Sequence, residues 1–214
     1  MIGFLGGTGP EGRGLALRFA LAGEQVLIGS RQKSNALSAA KAISEVVPGI
    51  SVDGESNEYV IHNSEQIFIT IPYLAQKLLL QRFADNLEGK IVVDTVVPVS
   101  FNEGVATSVP VSEGSAALEA RAVLHKSILV AAFQTISAHD LLKPDRKINS
   151  DVIVCSDNDS AKQDVMKLAE KITGVRSIDG GSLANSQHVE NLTILLLNIN
   201  KLYKARSSVK IVGI

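Results

Sequence analysis

Nine residues near the start of the chain constrain its fold more than any other stretch. Gly6-Gly7-Thr8-Gly9-Pro10-Glu11-Gly12-Arg13-Gly14 contains five glycines, and it joins a short apolar segment, Ile2 to Leu5, to a helix-like one, Glu11 to Ala22. The spacing Gly7-x-Gly9-x-x-Gly12 gains meaning from that strand–loop–helix context. Gly7 permits a tight turn, Gly9 lets backbone approach a pyrophosphate, and Gly12 lets the helix sit close to the strand. The start of a helix offers free N–H groups and a partial positive charge to phosphates. Pro10 suits the first turn, where a missing N–H is harmless. Glu11 favours a helix start but brings an acid near the phosphates, and its side chain is expected to point away. The plainer alternative is a glycine-rich turn with no ligand.

Beyond the loop, apolar runs alternate with helix-like segments. Strands are expected at Val26 to Ile28, Ile50 to Val52, Ile67 to Ile71, Lys90 to Val99 and Ser127 to Ala132, and helices at Ser34 to Val47, Leu74 to Leu87 and Glu113 to Ala122. These strands are apolar throughout rather than at alternate positions, which argues for a parallel sheet covered on both faces. We read residues 1–138 as an α/β, Rossmann-type, doubly wound dinucleotide-binding domain. Residues 139–214 form a smaller C-terminal α/β domain. There Val152 to Cys155, a helix from Asp159 to Ile172 and Arg176 to Ile178 repeat the βαβ pattern. A long apolar helix, Leu183 to Tyr203, follows and offers a surface for a homodimer.

Composition narrows the function classes. A formal net charge of −1 without a Lys/Arg run argues against a nucleic-acid-binding face. The single cysteine, Cys155, cannot build a disulfide framework or a thiolate metal cage, and the four histidines are scattered without ligand spacing. No metal site is expected. The longest apolar run, Leu192 to Ile199, is too short to cross a bilayer and is interrupted by Asn198. With no secretory leader pattern, the expected location is the cytoplasm.

The end of the second strand bears on which dinucleotide is bound. An NAD site usually carries Asp or Glu there, about twenty residues past the glycines, for the ribose hydroxyls. Here the chain reads Gly29-Ser30-Arg31-Gln32-Lys33, with no acid. A guanidinium binds a phosphate with paired hydrogen bonds, so Arg31 with Ser30 and Lys33 points to the 2′-phosphate of NADP(H). The alternative is a solvated loop. Two further segments lie where this fold places ligands, Thr70-Ile71-Pro72-Tyr73 and Val96-Val97-Pro98-Val99. Their prolines either shape the edge of a nicotinamide pocket or simply terminate strands.

These pieces, with Asn185-Ser186, Val189-Glu190-Asn191-Leu192-Thr193 and Leu197-Asn198-Ile199, resemble the deazaflavin-dependent NADP reductases, the coenzyme F-420 (F420):NADP oxidoreductases. The likeness runs in order over nearly the whole chain. It implies NADP along the first domain and the deazaflavin stacked on the nicotinamide in a crevice between domains. Carried over, the phosphate loop is Thr8, Gly9, Pro10 and Glu11. The 2′-phosphate site is Ser30 and Arg31, with Lys33 or Asn35 as a third member. Tyr73, Val97 and Pro98 flank the nicotinamide, with Ile71 and Pro72 beside them. Gln134, Thr135 and Ile136 face the deazaflavin. The resemblance leads one to expect a histidine where Gln134 stands. An amide can hydrogen-bond a ring carbonyl but carries no charge, which leaves a flavin open as the second redox partner.

Hydride transfer between two flat rings needs no nucleophile or metal, so no catalytic side chain is expected. One rival is a dehydrogenase of a small hydroxy or imino acid. Such folds often use a Lys and an Asn one turn apart; here only His188 and Asn191 share a helix face. A non-enzymatic rival is an NADPH-sensing module whose C-terminal part binds a partner.

Overall fold

Strands that are apolar on both faces must be covered on both faces, and the computed structural model, which describes residues 1–214, shows how this is achieved. Six parallel strands form one sheet: β1 (Ile2–Leu5), β2 (Val26–Ser30), β3 (Val52–Ser56), β4 (Gln66–Ile69), β5 (Ile91–Asp94) and β8 (Ile128–Ala131). Their order, β3-β2-β1-β4-β5-β8, is that of the doubly wound dinucleotide fold, with the topological switch between β1 and β4. Helices α1 (Pro10–Leu21), α2 (Lys33–Val46), α3 (Asn57–Asn63), α4 (Tyr73–Phe83) and α5 (Ala116–Val123) cover it.

Four phenylalanines anchor the core on one face. Phe4 and Phe68 stand opposite each other on β1 and β4, with ring centroids 5.0 Å apart. Phe19 of α1 lies 5.4 Å from Phe68, and Phe133, just past β8, meets Phe19 edge-on at 5.9 Å. Each is essentially fully buried. Phe133 also has an unusual backbone: its φ is +73°, a left-handed turn that a non-glycine residue rarely adopts. That turn sets the path of the segment after β8.

Several boundaries differ from those expected. The fifth strand ends at Asp94, and the chain beyond Pro98 leaves the sheet as an antiparallel hairpin, β6 (Val99–Asn102) and β7 (Val105–Ser108). The apolar run Val96-Val97-Pro98-Val99 concealed this break. The third strand runs from Val52 to Ser56, later than expected. It is the edge of the sheet, so Asp53 is exposed and the periodic apolar signal fades. Helix α3 is too short to show a clear period, and Ser56 caps it by accepting from the Tyr59 N–H at 3.2 Å.

In the C-terminal part, α6 (Ala138–Leu141) precedes β9 (Ser150–Val154), α7 (Asp159–Glu170) and β10 (Val175–Asp179), and β9 and β10 pair in parallel. Helix α8 (Ser186–Tyr203) ends the regular structure. The two parts share one core: a single cluster of 30 buried residues includes Phe4, Phe19 and Phe68 together with Ile148, Val152, Val154 and Val165. The backbones meet as well. Ala131 of β8 and Cys155 exchange N–H···O bonds of 2.8 and 2.9 Å, and the Cys155 side chain is fully buried. No helix is long and apolar enough to cross a membrane.

Candidate functional site

The loop after β1 departs from its sequence reading in one detail. The left-handed residue of the turn is Gly6, with φ +67°, and not Gly7. Gly7 is needed for another reason, because a Cβ there would stand 2.7 Å from the Phe4 side chain. Gly9 faces open space. A Cβ on Gly12 would fall 2.6 Å from the Gly7 Cα and 2.7 Å from the Thr70 hydroxyl, so this glycine seats α1 tightly against the strands. Gly9 caps α1 and Pro10 opens it. The N–H groups of Thr8, Gly9, Glu11 and Gly12 make no hydrogen bond within the protein. Four donors aimed out of a helix start form an anion cradle.

At the end of β2, Ser30 is buried and its hydroxyl accepts from the Gln32 N–H at 3.3 Å. Arg31 is exposed and has neither an ion-pair nor a hydrogen-bond partner within the protein. Lys33 differs: its ammonium meets Glu55 at 2.5 Å on the neighbouring strand. Asn35 Nδ2 leans on Gln32 Oε1 at 3.4 Å. Of the four residues expected around a 2′-phosphate, Arg31 alone presents an unengaged charge.

Next to the cradle, the carboxyl ends of β4, β5 and β8 open into a crevice of about 450 Å³, closed on its far side by α8. Thr70 and Ile71 come from the end of β4, and Thr95, Val96 and Val97 from the end of β5. Gln134, Thr135 and Ile136 follow β8, and Thr193, Leu196 and Leu197 belong to α8. Hydroxyls fasten these strand ends. Thr70 Oγ1 donates to the Leu5 carbonyl at 3.2 Å, and Thr95 Oγ1 to the Ile69 carbonyl at 2.8 Å.

Three expected wall residues stand elsewhere. Tyr73 opens α4 and turns its hydroxyl to Glu119 of α5 at 3.4 Å, out of the crevice. Pro72 is the exposed cap of that helix, and Pro98 redirects the chain into the β6–β7 hairpin, its carbonyl accepting from Val109 at 2.8 Å. Ile71 and Val97 do line the crevice. Glu11 departs from expectation in the opposite sense, for its side chain forms part of the crevice wall. One of its oxygens is buried without a hydrogen-bond partner, and desolvation raises its pKa to about 8.

Gln134 is held at both ends. Its Nε2 donates to the Asp94 carbonyl at 3.0 Å, and its main-chain carbonyl accepts from Thr193 Oγ1 of α8 at 2.9 Å. The remaining side-chain atom, Oε1, is buried and unpartnered. The free group is therefore an acceptor, suited to a ring N–H rather than to the ring carbonyl envisaged from sequence. Asp94 organises the wall from behind: its carboxylate accepts from the Val96 N–H at 2.8 Å and from Gln76 at 2.5 Å. Burial raises its pKa to about 7. Glu190 of α8, also raised by burial to about 8, caps α5 by accepting from Ala116 and Ala117 at 2.9 and 3.2 Å.

Sequence reasoning missed a second rim of the crevice. His139 of α6 and Arg206 lie there, with the guanidinium 2.9 Å from the imidazole Nε2 and 3.3 Å from Asp140. No motif marks them, because they meet only through the fold. Arg18 carries a signal in hindsight, being a charge on the apolar face of α1. It is buried, and donates to the Leu141 and Asp140 carbonyls at 2.8 Å each and also to Lys143 and Pro144.

The family model described as NADP oxidoreductase, coenzyme F420-dependent, matches residues 1–98. The F420-dependent NADP reductase of Methanothermobacter thermautotrophicus is 38% identical over 213 residues, 97% of this chain and 92% of that one. Its counterpart in Methanocaldococcus jannaschii is 35% identical, over 97% of this chain and 95% of that one. A crystal structure from Arthrobacter sp. FB24, assigned to the F420-dependent NADP reductases, superposes with a TM-score of 0.84 at 25% identity and covers 99% of each chain.

Proposed function

The chain belongs to the family of coenzyme F420-dependent NADP oxidoreductases, and from that membership we propose how its crevice works. The protein is an oxidoreductase that transfers a hydride reversibly between NADP(H) and the deazaflavin F420. When bound, the two coenzymes supply the redox chemistry. The chain binds them, aligns them and excludes water.

The observation that carries this reading is the continuity of two features: an anion cradle of four open N–H donors, and a crevice at the adjoining strand ends. The N–H groups of Thr8, Gly9, Glu11 and Gly12 hold the pyrophosphate, with Gly7 and Pro10 shaping the loop. Arg31 binds the 2′-phosphate, with Ser30 beside it and Asn35 within the same turn; Lys33 joins only by leaving Glu55. Ile71 and Val97 bracket the nicotinamide. The deazaflavin lies against Gln134, Thr135 and Ile136, with Gln134 Oε1 accepting from a ring N–H. No side chain is required as nucleophile or metal ligand.

Mixing the protein with NADPH and oxidised F420, and separately with NADP+ and reduced F420, while following deazaflavin absorbance tests the reaction. Turnover in both directions is expected, and a flavin in place of F420 is expected to be the poorer partner. No change in either mixture would overturn the reading. The exposed Leu195, Leu202 and Tyr203 of α8 and Phe101 of the hairpin support a homodimer, which sedimentation would reveal. The location proposed is the cytoplasm.

A further inference from the structure

Glu11 has no role in the reading above beyond its backbone N–H, yet its side chain is the one carboxyl in the crevice wall. It belongs to the first turn of α1, two residues past Gly9, and shares the wall with Thr70, Ile71 and Val97. A dinucleotide whose pyrophosphate occupies the cradle must next place its nicotinamide end along this wall. The Glu11 carboxyl lies at that position with one oxygen buried and unpartnered.

We propose that Glu11 is the charge-matching partner of the nicotinamide: ionised beside the cationic ring of NADP+, and protonated beside the neutral ring of NADPH. This rests on the dinucleotide placement given above. The balance of the reaction makes room for such a group. Reduced deazaflavin gives up a hydride from a C–H bond and a proton from an N–H bond, and the hydride forms the new C–H bond of NADPH. One proton is left over. A carboxylate that becomes a carboxylic acid in the same step takes up that proton, so the charge inside the crevice stays constant.

The surroundings of Glu11 favour this role. Its ionisation is opposed by burial alone, with no charged neighbour contributing, and its pKa near 8 lets both forms exist on either side of that pH. The other titratable groups around the crevice are His139 and Arg206 on the opposite rim, and Asp94 behind Gln134 and Val96. On α1 itself the neighbour is Arg13, whose Nε is likewise buried without a partner. Ionised Glu11 also repels the pyrophosphate, but that group is common to both oxidation states, so its effect cancels from the ratio of their affinities.

The test is equilibrium binding of NADP+ and NADPH to the full chain between pH 6 and 9, followed by ligand fluorescence and competition. In the unmodified protein the preference for NADP+ over NADPH is expected to grow with pH, by up to about tenfold per unit for a single proton. Glu11→Gln is expected to flatten that dependence and shift preference toward NADPH, while Glu11→Asp retains the slope. A pH-independent ratio in the unmodified protein, or the same slope in Glu11→Gln, would overturn this role alone. Failure of the unmodified protein to bind either dinucleotide would overturn the site placement and this role with it.

Discussion

At the scale of single residues, the two cations at the end of β2 do different jobs although the sequence presents them alike. Lys33 is spoken for by Glu55, whereas Arg31 stands free. Losing a charge-assisted, two-pronged contact to phosphate costs about 1.5–3 kcal/mol. Arg31→Ala should therefore raise the KM for NADPH by roughly 10- to 100-fold and change that for NADH little, which steady-state kinetics will show. Lys33→Ala should have a much smaller effect. The glycine pattern announced the anion cradle because each glycine answers to backbone geometry, which is local in sequence. The engagement of Lys33 was invisible, because Glu55 is far along the chain and becomes a neighbour only through the register of β2 with β3.

At the scale of elements, short pieces of chain are held in place by single polar side chains. Arg18 of α1 gathers four carbonyls around the end of α6, and α6 with the preceding Ser137 forms the rim of the crevice. Arg18→Met keeps much of the aliphatic bulk but leaves the buried Asp140 and Leu141 carbonyls without donors, a cost of about 2–4 kcal/mol. We expect a lower unfolding midpoint in urea and a weaker affinity for F420, with NADPH affinity nearly intact. Asn198 of α8 works similarly, giving to and accepting from the Ala106 backbone at 2.9 Å each and so tying the β6–β7 hairpin to α8. The long strands and helices were legible because their apolar periods repeat. Helices α3 and α6 and the hairpin were not. Each is shorter than the window in which a period can be recognised, and each is fastened by a contact distant in sequence.

At the scale of the whole molecule, buried carboxyls set the dependence of stability on pH. Glu11, Asp94 and Glu190 have folded-state pKa values near 8, 7 and 8, above their ordinary values of 4.5, 3.8 and 4.5. The folded chain thus holds more protons than the unfolded one between those limits, and stability falls as pH rises through that window. Asp151 acts in the opposite sense: the Arg176 guanidinium lowers it to about 2, so it stabilises above its ordinary pKa and that contribution is lost toward acid. Stability should peak at about pH 4 and decline by several kcal/mol toward pH 9, as urea titrations across pH will show. Asp94→Asn should flatten part of the alkaline decline. The overall α/β architecture could be inferred from the alternating segments, but a core running without interruption across residue 138 could not, since nothing local shows which apolar faces will meet. Cys155 lies on that seam, its thiol sealed away and its pKa raised by burial to about 11. It is a built-in clock for the parting of the two halves. A thiol-reactive dye should leave the native protein unlabelled, and the slow rate at which colour develops should equal the rate of global unfolding.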